Sequence, residues 1–170
     1  AIDLLLTRDI AIEGLRYSGS DVTRLQSKVL RARILLLQGG LDESKGILIE
    51  LVGRKSMDSV AHRQVGARAL QCLGDIARIR GEWSAARTYY GAAMGHFESR
   101  DHQHGQWETL SGMAEVEVQT GALATAAELY QRVRDIGGAI NDQYPVAVAL
   151  LGMGRVDIQL GKPAAAIPTL

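Results

Sequence analysis

Four glycines, Gly39, Gly81, Gly121 and Gly161, stand 42, 40 and 40 residues apart, and the residues around each one repeat with it. Eleven positions before the glycine come Lys28, Leu70, Leu110 and Leu150. Eight and seven before it come Arg31-Ala32, Leu73-Gly74, Met113-Ala114 and Met153-Gly154. Two after it stand Leu41, Trp83, Leu123 and Pro163; five after it, Ser44, Ala86, Ala126 and Ala166; nine after it, Leu48, Tyr90, Tyr130 and Leu170. A fixed period of this length marks a stacked-repeat architecture, in which each unit buries its apolar face only against its neighbours.

The offsets have physical reasons. Positions eleven, eight or seven, and four before the glycine lie on one face of a helix. The glycine ends that helix, because it takes the left-handed conformation of a C-terminal cap without steric penalty. The small residue five beyond it sits where two helices cross closely. The large residue at nine lies one turn further along the same face and fills the space between units. Each period therefore reads as one antiparallel helical hairpin. The expected core includes Leu73, Ala86, Tyr90, Leu110, Met113, Ala126 and Leu150, with Trp83 largely covered.

Leu73-Gly74, Gly81-Glu82-Trp83, Ala86, Tyr90 and Ala93 fall where the tetratricopeptide repeat (TPR) signature places them, so the chain resembles that family. Its period of about 40 rather than 34 is similar to the longer-helix variety found in MalT-like bacterial regulators, rapsyn and kinesin light chain. The segments Glu98-Ser99-Arg100-Asp101 and Asn141-Asp142 look like the linkers of that variety. The pattern departs from the family at Lys28 and Arg31, two usually apolar positions, and at Glu117 and Asp157, where a bulky apolar or aromatic residue is usual. The resemblance implies an all-α, right-handed α-solenoid of antiparallel hairpins, a TPR-like superhelix.

Helices are expected at about 2–16, 20–38, 41–53, 58–80, 82–100, 102–119, 122–138, 143–160 and 162–170, with Asp21, Asp58 and Asp142 as N-terminal caps. The whole chain, 1–170, reads as a single repeat array. It comprises a partial repeat over 1–17, repeats over about 18–57, 58–101 and 102–141, and a partial repeat over 142–170. The array breaks off within a repeat at both ends, with Pro168 in the path of the last helix, so the expectation is a piece of a longer protein. Uncapped repeats expose apolar faces, which makes self-association through the ends a further expectation.

Composition excludes some functions. Nineteen basic and nineteen acidic residues cancel, so the basic excess that drives nucleic-acid or anionic-membrane binding is missing. No apolar run approaches the roughly 20 residues needed to span a bilayer. Cys72 is the single cysteine, which forbids an internal disulfide and favours a reducing, cytoplasmic setting.

Residues that bear chemistry do not form a catalytic pattern, and the chain reads as a non-enzyme with no cofactor and no metal. His102 and His104 flank one residue in a linker with His96 nearby, but the tight ligand pairs of a zinc site are absent, so surface histidines are the simpler reading. Cys72 lies in mid-helix, where a small buried residue is expected rather than a nucleophile. No phosphate-binding glycine loop is present. Glu115 and Glu117 are two apart on a helix and diverge. Gly112 and Gly152 are more informative: glycine inside a helix costs about 1 kcal/mol relative to alanine, and its recurrence at a spacing of 40 marks a close approach by a neighbouring helix or by a ligand.

In a TPR-like solenoid the first helix of each hairpin lines the concave side, which puts the groove on the stripe thirteen, ten, six and three before the glycine. That stripe carries Gln26, Val29, Arg33 and Leu36, then Arg68, Gln71, Asp75 and Arg78. It continues with Glu108, Ser111, Glu115 and Val118, and ends with Val148, Leu151, Arg155 and Ile158. The candidate partner-binding residues are Arg33, Arg68, Gln71, Asp75, Arg78, Glu108, Ser111, Glu115, Leu151 and Arg155. At six before the glycine the row runs basic, acidic, acidic, basic (Arg33, Asp75, Glu115, Arg155). Such a row either reads a charged peptide through charge-assisted hydrogen bonds or pairs with itself across adjacent helices. The Lys/Asn clamp that some TPR modules close on a C-terminal carboxylate is not evident.

The expected function is a non-catalytic scaffold that binds a protein or peptide in the groove. The alternative is a ligand- or partner-sensing repeat segment of a MalT-like transcription regulator, with no direct nucleic-acid contact from this segment.

Overall fold

The computed structural model describes residues 21–53 and 60–162. These residues form seven α-helices and no strand. They are α1 (Asp21–Leu37), α2 (Leu41–Val52), α3 (Val60–Ile79), α4 (Trp83–Glu98), α5 (Gln103–Thr120), α6 (Leu123–Ala139) and α7 (Gln143–Gln159). The helices expected over 2–16 and 162–170, the cap at Asp58 and the proline at 168 lie outside the described residues, apart from Lys162 in the turn after α7.

The turns after α1, α3, α5 and α7 close in one way. The N–H groups of Gly40, Glu82, Ala122 and Lys162 donate to the carbonyls of Leu35, Ala77, Glu117 and Asp157 at 2.8–2.9 Å. This is the six-to-one bond of a Schellman cap, and Gly39, Gly81, Gly121 and Gly161 supply the left-handed residue, with φ between 72° and 84°. The turns after α4 and α6 close identically: His102 N–H donates to Phe97 (3.0 Å) and Asp142 N–H to Gly137 (2.9 Å). There the left-handed residues are Asp101 (φ 51°) and Asn141 (φ 53°), two of the few side chains that tolerate this region. Glycine therefore marks only one of the two turns in each period. Asp142 is the N-cap of α7 and accepts from Tyr144 N–H (2.9 Å); the cap expected at Asp21 falls at the edge of the described residues.

Each helix packs on the next in sequence, and α1, α3, α5 and α7 also pack successively on one another. The backbones of α2, α4 and α6 stand further apart, although Arg132 of α6 reaches Glu98 of α4 (3.3 Å). The first helices thus form one continuous layer and the second helices stand behind it. The crossing residues Ser44, Ala86 and Ala126 have no exposed surface, and the Ser44 hydroxyl donates to the Ala32 carbonyl across the crossing (2.8 Å).

The core runs along the array in slices. One slice gathers Leu25, Val29, Leu48, Val65 and Ile76; another gathers Leu110, Val118, Tyr130, Val133 and Val156. Tyr90, Ala86 and Val116 bridge the two. Leu73, Ala86, Tyr90, Leu110 and Ala126 are buried as expected. Met113, Leu150 and Trp83 are only half-buried. Trp83 opens α4 beside a turn, and the place of the helix expected to cover Leu150 falls after Lys162, outside the described residues.

Ion pairs account for three of the departures from the repeat pattern. Lys28 and Arg31 reach Glu50 and Glu43 on α2 (2.8 and 2.9 Å). Glu117 accepts two hydrogen bonds from Arg87 on α4 (2.7 and 2.9 Å). Nothing in the structure explains Asp157. Among the described residues no helix is long and apolar enough to cross a membrane.

Candidate functional site

The layer of first helices borders an open cavity of about 310 Å³. Eight of the ten candidate residues line it: Arg33 from α1; Arg68, Gln71, Asp75 and Arg78 from α3; Glu108, Ser111 and Glu115 from α5. Leu151 and Arg155 stand on α7 outside its lining, both exposed. The stripe is not uniformly open. Val29, Gln71 and Val118 are buried, because each first helix is covered on this side by the next one.

Most of the charge in the cavity is satisfied within the protein. Arg68 pairs with Glu108 forty residues on. Gln71 bridges the two, accepting from Arg68 (3.1 Å) and donating to Glu108 (3.2 Å), and the Arg68 guanidinium lies 5.4 Å from the centre of the Phe97 ring. Burial pushes the Glu108 carboxyl up, but Arg68 and Gln71 outweigh it and hold the group below its ordinary value. One repeat along, Arg155 Nη1 donates to Glu115 Oε1 at 2.6 Å. The row six before the glycine therefore pairs with itself at Glu115 and Arg155.

Two tyrosines hold the acids of that row. Tyr90 on α4 donates to Asp75 (2.7 Å) and accepts from Arg78 Nε (3.3 Å). Tyr130 on α6 donates to Glu115 (2.6 Å). Burial, then the adjacent carboxylate, pushes both phenols up, so each remains a donor. Burial also raises the Asp75 carboxyl, against the opposing pull of Tyr90 and Arg78. The first repeat has Leu48 in the tyrosine position and Arg33 in the acid position, so a phenol and its acceptor are absent together. Cys72 also lines the cavity. Burial and then Asp75 push its thiol up to about 12, which removes any thiolate nucleophile at neutral pH.

The aromatic wall was not foreseen. Trp107 and Tyr144 line the cavity, with ring centres 5.7 Å apart and planes at 69°. Trp107 is buried and donates its indole N–H to His104 Nδ1 (3.2 Å); Tyr144 is 66% exposed. A signal for Tyr144 did exist: it lies seventeen before Gly161, one turn upstream of the groove stripe, and extending the stripe by a turn would have included it. Of the histidines expected at the surface, His102 instead caps α5, accepting from Gly105 N–H (2.9 Å). His104, on α5, lies 3.5 Å from Glu108. Among the described residues no group of three or more histidine, cysteine or acidic side chains is placed to hold a metal ion.

No protein-family model and no curated protein matches the chain. Its functional reading rests on this geometry.

Proposed function

We propose that this chain is a non-catalytic array of TPR-like hairpins, wound as a right-handed superhelix, that holds a protein or peptide in the groove formed by its first helices. A cytoplasmic setting and end-to-end self-association belong to the same reading. The observation that carries it is the convergence of side chains from α1, α3, α5 and α7 on one cavity. An extended ligand lying across them would touch several repeats at once. Selection of peptides from a displayed library on the full chain, followed by titration of the best binder, tests the reading. Arg33→Glu and Tyr144→Ala should weaken binding at least tenfold with unchanged melting, whereas Glu128→Lys, on the exposed side of α6, should not. The opposite ranking places the partner on the second helices and overturns the groove.

The cavity volume of about 310 Å³ favours one alternative, a small inducer sensed by a MalT-like regulator, since it reaches the lower end of ligand pockets, ~300–1,000 Å³. Thermal-shift screening of small metabolites separates the readings: stabilisation by a compound that displaces the selected peptide supports the alternative.

A further inference from the structure

The groove extends past the cavity just described. A second hollow of about 230 Å³ lies between α1 and α3, walled by Val29, Leu30 and Val65 with Gln26 and Gln64. Arg33 and Arg68 line both hollows, so the two adjoin and the arginines stand between them. Both outer ends offer apolar surface to solvent: Leu30 is 41% exposed at one and Tyr144 66% at the other.

The arginines between the hollows are not equivalent. Arg68 is engaged by Glu108, Gln71 and the face of Phe97. Arg78 and Arg155 are likewise engaged, by Asp75 with Tyr90 and by Glu115. The carboxylates Asp75, Glu108 and Glu115 all have partners. Arg33 is exposed and makes no hydrogen bond or ion pair with any described residue; it acts on Asp75 only at a distance. The uncompensated charge of the groove is therefore one guanidinium, placed between two apolar ends. A guanidinium offers a planar fork of donors suited to a carboxylate.

We infer, resting on the groove reading above, that the occupant is an extended peptide with an acidic side chain between two apolar ones, the acid on Arg33 and the apolar residues at the Leu30 and Tyr144 ends. One carboxylate completes the pairing of the groove. The flanking residues cover Leu30 and the Trp107–Tyr144 wall, whose aromatic rings add contact area at little entropic cost.

The test uses the full chain and end-capped, fluorescently labelled synthetic peptides of Gly and Ser. They carry one central Glu, with Leu and Trp on opposite sides at varied spacing and in both orders. Fluorescence anisotropy should find at least one spacing that binds measurably above the all-Gly/Ser control. Glu→Gln in that peptide should weaken it roughly tenfold, about one charge-assisted contact. Arg33→Gln should erase the Glu/Gln difference, and Tyr144→Ala should weaken Trp peptides more than Trp→Ala peptides. Raising salt should reduce the Glu/Gln difference. If no spacing exceeds the control, or if Glu and Gln peptides bind alike, the inference is overturned. If free N-acetylglutamate amide competes as strongly as the best peptide, a small acid suffices and the peptide inference is overturned too. Binding that is indifferent to the acid yet lost in Tyr144→Ala leaves the groove standing and removes only this inference. Binding lost in Glu128→Lys but retained in Tyr144→Ala removes both.

Discussion

Tyr90 of α4 lies over Gly112 of α5 so closely that a Cβ at residue 112 would stand 2.6 Å from both Cζ and Oη of the ring. Tyr130 and Gly152 repeat the relationship one period later, and Tyr90 meets Gly74 in the same way from the other side. The recurring mid-helix glycines thus make room for the aromatic ring of the preceding hairpin, and a neighbouring helix accounts for them.

Gly112→Ala and Gly152→Ala should therefore destabilise the protein by roughly 1–3 kcal/mol through overpacking, although alanine is intrinsically the better helix former. Gly91→Ala and Gly95→Ala provide the contrast: both lie within α4 with nothing within 4 Å of the added methyl, so each should stabilise by about 0.5–1 kcal/mol. Thermal melts of the four variants give opposite signs on this account; equal signs would refute it.

Ala86→Leu and Ala126→Leu enlarge residues with no exposed surface at the hairpin crossings and should each cost roughly 1–3 kcal/mol. Ser44→Ala removes only the hydrogen bond to the Ala32 carbonyl and should cost about 1 kcal/mol. Denaturant unfolding would show this ranking; unchanged midpoints in the leucine variants would mean that these positions tolerate bulk.

Asp75 and Glu108 should respond to pH with opposite signs. The folded-state value of Asp75 is raised above the ordinary 3.8, so its stabilising contribution is full below that value and is lost as pH rises through the folded value. Asp75→Asn keeps an acceptor for Tyr90 and should melt higher than wild type near neutrality, with the advantage shrinking as pH falls toward 3.8. Glu108 is held below its ordinary 4.5; its contribution is present above that value and is lost as pH falls through the folded value. Glu108→Gln should thus melt lower than wild type near neutrality, with the deficit closing in acid. Melting midpoints of the three proteins over an acid-to-neutral series check both signs.

Arg87 is not a neutral surface residue. Its guanidinium is bidentate on Glu117, whose side chain is only 13% exposed. Arg87→Ala should cost about 0.5–1 kcal/mol, near the upper end for partly exposed pairs, and Arg87→Glu more. Glu128→Lys should stay within about 0.5 kcal/mol of wild type. Melts of the three variants decide it, and a silent Arg87→Ala would show that the pair contributes nothing measurable.

The period of glycines, the stripe of apolar residues before each one and the small residue after it were enough to place seven helices and their hairpin crossings. These features depend on a few neighbouring residues: a left-handed cap, a helical face, a close approach. Eight of the ten candidate groove residues surround one cavity for the same reason, since spacing on a helix dictates a shared face. The pairing within that face was not legible. Arg68 with Glu108 and Arg155 with Glu115 are each forty residues apart, and whether two charges meet or face solvent depends on the angle and offset between packed helices. The turns at Asp101 and Asn141 carry no glycine; their place followed from the likeness of Glu98-Ser99-Arg100-Asp101 and Asn141-Asp142 to linkers, while the left-handed conformation of Asp101 and Asn141 themselves was not legible. Whether Gly112 faces a ligand or a ring was open in the sequence, and the stacking of α4 on α5 decided it. The sequence by itself determined which residues share a face; only the tertiary structure decided what each face meets, because contacts between helices depend on geometry that no local rule encodes.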